Sequence, residues 1–190
     1  MKKSKLEAAE TRERIVKTAA AEFCRNGIRS TGICELMAAA GLTHGGFYGH
    51  FVSKDQLVAE ACGVGMDSIV ERVSAAAREP GGKGSLAAIA ASYLAREHRD
   101  DPAGGCPLAG LGSELVRSSE DTRAEASGGF MELVEIVAAQ FGGVGRRTAK
   151  EKALVAVSAM IGAVTMSRIV QDPGLSDAIL KQTEIYLLQL

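Results

Sequence analysis

The chain has no tryptophan, and its five phenylalanines and three tyrosines make up only 4% of 190 residues. No apolar run approaches the roughly 20 residues that a bilayer span requires. The basic start, Met1-Lys2-Lys3-Ser4-Lys5, is followed by charged residues rather than by an apolar signal core. A cytoplasmic protein with no membrane partner is therefore expected. The four cysteines, Cys24, Cys34, Cys62 and Cys106, lie far apart and form no CxxC pair. Neither a zinc site nor a disulfide framework is indicated, and free thiols are expected in a reducing cytosol. Phosphate loops, metal-ligand spacings and nucleophile elbows are missing as well. So are internal repeats, low-complexity tracts and sustained strand alternation. No cofactor or metal is expected, and the remaining signal is helical periodicity, which implies an all-α fold.

The net charge of −1 conceals an asymmetry, because residues 1–55 carry +3 and the remainder −4. A basic end on an acidic body fits a surface that faces phosphates and a body that need not touch nucleic acid. At 190 residues the chain can hold one large domain or a small one fused to a larger one. The expected division is 1–55 and 56–190.

In the first segment Ile15, Val16, Ala19, Ala20 and Phe23 mark one helical face, which Asn26-Gly27 ends. Thr31 is the expected N-cap of a second helix carrying Ile33, Leu36, Met37 and Ala40 at the i, i+3, i+4, i+7 positions. That helix stops at Gly41, and Thr43 caps a very short third helix in which Phe47 and Phe51 point inward. Ser53 then opens a long helix to about Ala77, broken by Glu79-Pro80-Gly81-Gly82-Lys83-Gly84. Further helices are expected near 85–98, 107–117, 119–141, 148–171 and 175–188, about nine in all. Gly128-Gly129 puts the continuity of the seventh in question. Two helices joined by a tight turn containing glycine form a helix-turn-helix, whose second helix enters the DNA major groove.

The residues Arg14-Ile15-Val16, Ala20-Ala21-Glu22-Phe23, Asn26-Gly27, Thr31, Ile33, Glu35-Leu36, Ala39 to Thr43, Gly45, Phe47-Tyr48, His50-Phe51, Ser53-Lys54 and Leu57 together resemble the tetracycline-repressor (TetR) family of bacterial regulators. The likeness is dense over residues 10–60; beyond Leu57 only helix number, length and order match. It implies that Thr31, Thr43, Tyr48, His50 and Lys54 touch DNA phosphates, contacts that set affinity and register without reading sequence. Base reading would fall to His44, Gly45 and Gly46, with Arg29 and Gly49 as further candidates. Here the chain departs from the commoner pattern: Gly46 and Gly49 supply no side chains to read with.

The resemblance further implies a homodimer through the last two helices, bound to an inverted-repeat operator in double-stranded DNA. Leu154, Val157, Ile161 and Val164, with small Ser158, Gly162 and Ala163, form one stripe, and Leu175, Ile179, Leu187 and Leu190 another. It also implies a chamber for a small-molecule effector, with Met66, Ile69, Tyr93, Cys106, Leu108, Leu111, Phe130, Val134 and Met160 as candidate walls. Leu94, Met131 and Met166 are further candidates. The expected function is a repressor released from its operator by that effector. A regulator without an effector and an enzyme built on a His98–Cys106 pair are the alternatives. Pro107 at the first position of a helix would leave Cys106 at the N-cap, where the helix dipole lowers a thiol's pKa and favours reaction with electrophiles; the alternative is that Gly-Cys-Pro-Leu simply starts a helix, with Cys106 a small buried apolar residue.

Overall fold

The computed structural model describes residues 5–78 and 85–190. The basic arm Lys2-Lys3 and the expected break over 79–84 lie outside them. Among the described residues the fold is all-α: α1 Lys5–Asn26, α2 Ile33–Ala39, a 3-10 helix His44–Gly49, α3 Lys54–Arg78, α4 Ser85–Tyr93, α5 Arg96–Asp100, α6 Pro107–Leu115, α7 Glu120–Ala138, α8 Arg146–Ile169 and α9 Pro173–Leu187.

The first small core assembles as the periodicity dictates. Ile15, Ala19 and Phe23 of α1 meet Leu36 and Met37 of α2, Phe47 of the 3-10 helix and Phe51, all essentially without solvent contact. Leu57 and Val58 at the start of α3 close this core, and the same helix continues into the larger body. There α3 packs along α7 and against α4, while α8 lies between α7 and α9. Gly128-Gly129 does not interrupt α7, which runs unbroken from Glu120 to Ala138. Gly129 instead permits a close helix crossing, since a Cβ there would sit 2.6 Å from Cβ of Met66 on α3.

The helix expected over 85–98 is split. Ala95 takes an extended backbone (ψ 148°), so α4 ends near Tyr93 and α5 starts at Arg96. The break frees the Tyr93 carbonyl from the helical ladder, and His98 Nδ1 takes it at 2.6 Å. One further expectation needs correction. By length and composition Arg146–Ile169 is apolar enough to cross a bilayer. In this fold its Ala153, Ala156, Val157, Met160 and Val164 are buried against the other helices.

Candidate nucleic-acid interface

α2 and the 3-10 helix meet through a short turn. Gly41 adopts a left-handed conformation (φ +72°), and Leu42 N donates to Met37 O at 2.8 Å. Thr43 then precedes the 3-10 helix as its N-cap residue, without a side-chain capping bond. Of the segment's residues only Phe47 is buried, stacked on Phe51 with centroids 5.5 Å apart. Anchoring through Phe47 leaves Thr43, His44, Gly45, Gly46, Tyr48 and Gly49 exposed on one apex, with His50 half-buried. Tyr48 is 66% exposed, its ring edge-on to both Phe47 and His44. The segment is a 3-10 rather than an α-helix, as three glycines in six residues weaken α-helical propensity.

Arg12 of α1 fixes the trailing end of this apex. Its Nη2 donates to Glu60 Oε1 at 2.6 Å, Nη1 pairs with Oε2, and Nε reaches His50 O at 3.4 Å. The guanidinium also lies 4.6 Å from the Phe51 ring centroid. This clamp joins α1, the reading segment and α3, and no local sequence motif announces it.

Two expected phosphate contacts have additional duties. Thr31 does not cap α2; Gly32 does, with the Glu35 carboxylate accepting from Gly32 N at 3.0 Å. Thr31 is buried, and its hydroxyl donates to Gly27 O at 2.6 Å, so it braces the loop from inside. The cause is the length of the turn, which puts Thr31 one residue too early to cap. Lys54 Nζ donates to Ile28 O at 2.6 Å and lies 5.8 Å from the Phe23 ring. An ammonium has three donors, so two remain for an anion. Ser53 caps α3 as expected, accepting from Gln56 N at 3.1 Å.

The loop between α1 and α2 is held from the larger body. Glu114, near the end of α6, accepts from Ile28 N at 3.1 Å and from Arg29 N at 2.9 Å. Gly27 has φ +88°, a backbone shape that favours glycine, and a Cβ there would come within 2.8 Å of Glu114 Oε1 and push on that carboxylate. Arg29 stays exposed beside this joint. Sequence reading missed Glu114 because its partners are 86 and 85 residues away.

The expected chamber walls do come together, but as packed core. Met66, Ile69, Tyr93, Cys106, Leu111, Val134 and Met160 are buried, and Leu108 and Phe130 half-buried, in one continuous cluster. Met131 and Met166 face solvent and leave the set. Cys106 is the N-cap residue of α6, but the thiol is not activated. Burial pushes its pKa up, outweighing the hydrogen bonds from Tyr93 and the α6 backbone that act the other way. Burial likewise raises Cys24 to about 11 and Cys62 to about 12. Of the two readings of Cys106, a reactive N-cap thiol and a small buried residue, its burial fits the second. The dipole argument omitted desolvation, which dominates at a residue 1% exposed.

His98 is buried edge-on to Tyr93, with centroids 4.7 Å apart. Because its Nδ1 faces a carbonyl, Nδ1 carries the proton and donates. Nε2 is then free to accept from the Cys106 backbone N–H at 3.0 Å. Burial lowers the ring's pKa to about 4. His98 is thus bonded to the backbone of Cys106 rather than its sulfur. A neutral imidazole and an unionised thiol do not make the ion pair of a cysteine nucleophile.

The stripes on the last two helices are rotated from the expected ones. Val157, Val164 and Leu187 are internal, whereas Leu154, Val155, Met166 and Ile169 of α8 are exposed, with Ser158 and Gly162 between them. Leu175, Ile185, Tyr186 and Leu188 extend this outward apolar face along α9 and its C-terminal end.

Two stretches of the chain match known families. Residues 15–61 match the family model described as bacterial regulatory proteins, tetR family, and residues 84–182 match that of the LmrA/YxaF-like transcriptional regulator C-terminal domain. A probable acrEF/envCD operon repressor of Escherichia coli (strain K12) is 39% identical over 59 residues, 31% of this chain. That match spans only 27% of the repressor's own length. A TetR transcriptional regulator from Chloroflexus aurantiacus J-10-FL superposes with a TM-score of 0.78 at 27% identity, over 96% of each chain. AibR, solved in complex with isovaleryl coenzyme A and operator DNA, superposes with a TM-score of 0.66 at 20% identity, over 93% of this chain and 97% of its own.

Proposed function

Because this chain belongs to the TetR family of bacterial regulatory proteins, we propose that it is a dimeric transcriptional repressor that leaves an inverted-repeat operator when a small effector binds its larger half. The observation that carries this reading is the exposed apex of Thr43, His44, Tyr48 and His50, rigidly mounted on Phe47, Phe51 and the Arg12 clamp. Helix N-termini and a partly free lysine at its base suit phosphates, and His44 is the exposed side chain placed to read a base edge. The outward apolar face of α8 and α9 would join two copies, as a patch of that kind commonly marks an interface. Glu114 would carry the response, because any shift of α6 moves the acceptor of Ile28 N and Arg29 N. AibR, with both an acyl coenzyme A and operator DNA in its crystal structure, is a fold neighbour in which the two ligands coexist. The setting would be the cytoplasm, where the DNA is.

The test is footprinting and anisotropy on DNA from upstream of the protein's own gene. The protected site should have dyad symmetry, with half-sites about 34–36 Å apart or a multiple of that. Lys54→Ala should weaken binding about equally on all sequences and lower the salt slope by about one contact. His44→Ala should instead alter sequence preference. Unchanged affinity and preference in both variants, or an asymmetric footprint from a monomer, would overturn the proposal.

A further inference from the structure

Behind the wall residues, at the centre of the larger half, polar hydrogens lack acceptors. Arg72 of α3 buries Nε and Nη2 with no partner, and Tyr93 at the end of α4, 1% exposed, buries a hydroxyl that meets no oxygen or nitrogen acceptor and faces the Cys106 thiol, a weak one. The two side chains share one neighbourhood, since the Arg72 charge bears on Tyr93, His98 and Cys106 alike. Arg168 of α8 adds a second cation, with Nε on Arg99 O at 3.0 Å and Nη2 on His98 O at 2.7 Å. Two exposed acids are in electrostatic range: Asp101, which accepts from Gly104 N at 3.2 Å and bears on His98 and Arg168, and Asp100, which bears on Arg168 but is paired with Arg99. The cluster is therefore rich in cationic donors and poor in acceptors. Unpaired buried donors destabilise a fold, so several at one spot call for a partner that arrives from outside.

We infer that Arg72 and Tyr93 bind the carboxylate of a small organic acid, which serves as the effector; this rests on the regulatory reading above. Nε and Nη2 form the side edge of the guanidinium plane, the edge that meets a carboxylate with two parallel bonds. The Tyr93 hydroxyl supplies a third donor. Three donors suit the two oxygens of a carboxylate, whereas a phosphate would leave further charged oxygens desolvated among apolar side chains. Ile69 lies one turn before Arg72 on α3 and Ile89 one turn before Tyr93 on α4, and with Met66 on α3 and Val134 on α7 they belong to one buried apolar cluster. They fit an apolar tail, and Met66, unbranched and packed against Gly129, is the side chain able to swing aside for it. The site adjoins Cys106, where α6 begins, and α6 carries Glu114 at its other end. Occupation is thereby linked to the loop that braces the reading segment.

The test uses the full chain with hexanoate, octanoate, benzoate and phenylacetate, their matched amides, and inorganic phosphate, followed by calorimetry and thermal shift. At least one carboxylate should bind saturably, while its amide and phosphate bind at least tenfold more weakly. Arg72→Gln should weaken that carboxylate at least thirtyfold, and Tyr93→Phe three- to tenfold. Without ligand, Arg72→Gln should melt at or above the wild-type temperature, which also shows that it folds. No carboxylate binding, equal binding by the amide or phosphate, or undiminished binding by Arg72→Gln would overturn the inference. The same compounds are then added to protein bound to its upstream DNA. Release of wild type but not of Arg72→Gln supports the full reading. Release by the neutral amides alone keeps the repressor and removes the carboxylate site. Carboxylate binding by a protein that binds no DNA keeps the site and removes the repressor.

Discussion

Acidification should loosen the larger half of this protein through one residue, His98. The ring has a pKa of about 4 in the fold against an ordinary 6.5, because burial penalises the imidazolium. Protonating Nε2 would also remove the acceptor of Cys106 N–H. Between pH 6.5 and 4 the unfolded chain binds a proton that the folded chain refuses. The stabilisation is therefore complete above pH 6.5 and is lost as pH falls toward 4. A gap of that size is worth at most about 3.4 kcal/mol, and integration gives a loss of about 2.5 kcal/mol by pH 4.5. Exposed carboxylates held low by ion pairs, such as Glu13 beside Lys17 and Glu135 beside Lys150, lose stability in the same direction. The comparison must therefore be with His98→Gln, whose amide oxygen can still accept from Cys106 N–H. Urea unfolding followed by circular dichroism at pH 7 and 4.5, at one protein concentration, should show the wild type losing about 2–3 kcal/mol more than the variant. Parallel losses would refute the assignment of a buried, neutral His98.

Two further outcomes follow from the joint and the thiols. Glu114→Ala strips Ile28 N and Arg29 N of a charged acceptor; because the site is partly solvated, the cost should be about 1–2 kcal/mol. On the scale of a chain this size that is about 2–8 °C in melting temperature. DNA affinity should fall as the loop loosens, and an unchanged affinity would show that the contact carries no signal. Brief maleimide treatment read by mass spectrometry should label the exposed Cys34 and leave Cys62 and Cys106 unmodified, since burial keeps the latter two as thiols. Prompt labelling of Cys106 would restore the idea of a reactive cysteine.

Much of the candidate interface is legible in the chain itself. Phe47 and Phe51 four apart, Gly41 at the turn and Ser53 before α3 are local signals, and local physics decides them. Thr31 is instructive because capping propensity favoured it, yet a one-residue difference in loop length gave the cap to Gly32 and turned the threonine inward. Periodicity found the apolar faces of α8 and α9 but not which part faces outward. Val157 and Leu154 differ by under a turn, and the packing of α7 and α9 against α8 decides between them. Cys106 was placed correctly on its helix, while its acidity depended on burial that no neighbouring residue reveals. Glu114, Arg12 with Glu60, and Arg72 were invisible for a simpler reason. Each acts across a long stretch of chain or through a contact it lacks, and ordinary charged residues on helices look alike in sequence.

The division expected at residue 55 falls inside α3, and that has a mechanical meaning. α3 begins at Lys54, whose ammonium holds the Ile28 carbonyl, and continues past Arg72 in the centre of the larger half. Eighteen residues of helix separate the two, about 27 Å at 1.5 Å per residue. A rod of that length magnifies angle into distance. A tilt of only about 5° at the Arg72 end displaces the Lys54 end by about 2 Å, enough to break a hydrogen bond of ordinary length. In the proposed dimer, two copies pivoting in opposite senses would add their displacements across the two-fold axis. A fixed groove spacing would then be lost through a motion that leaves every helix intact.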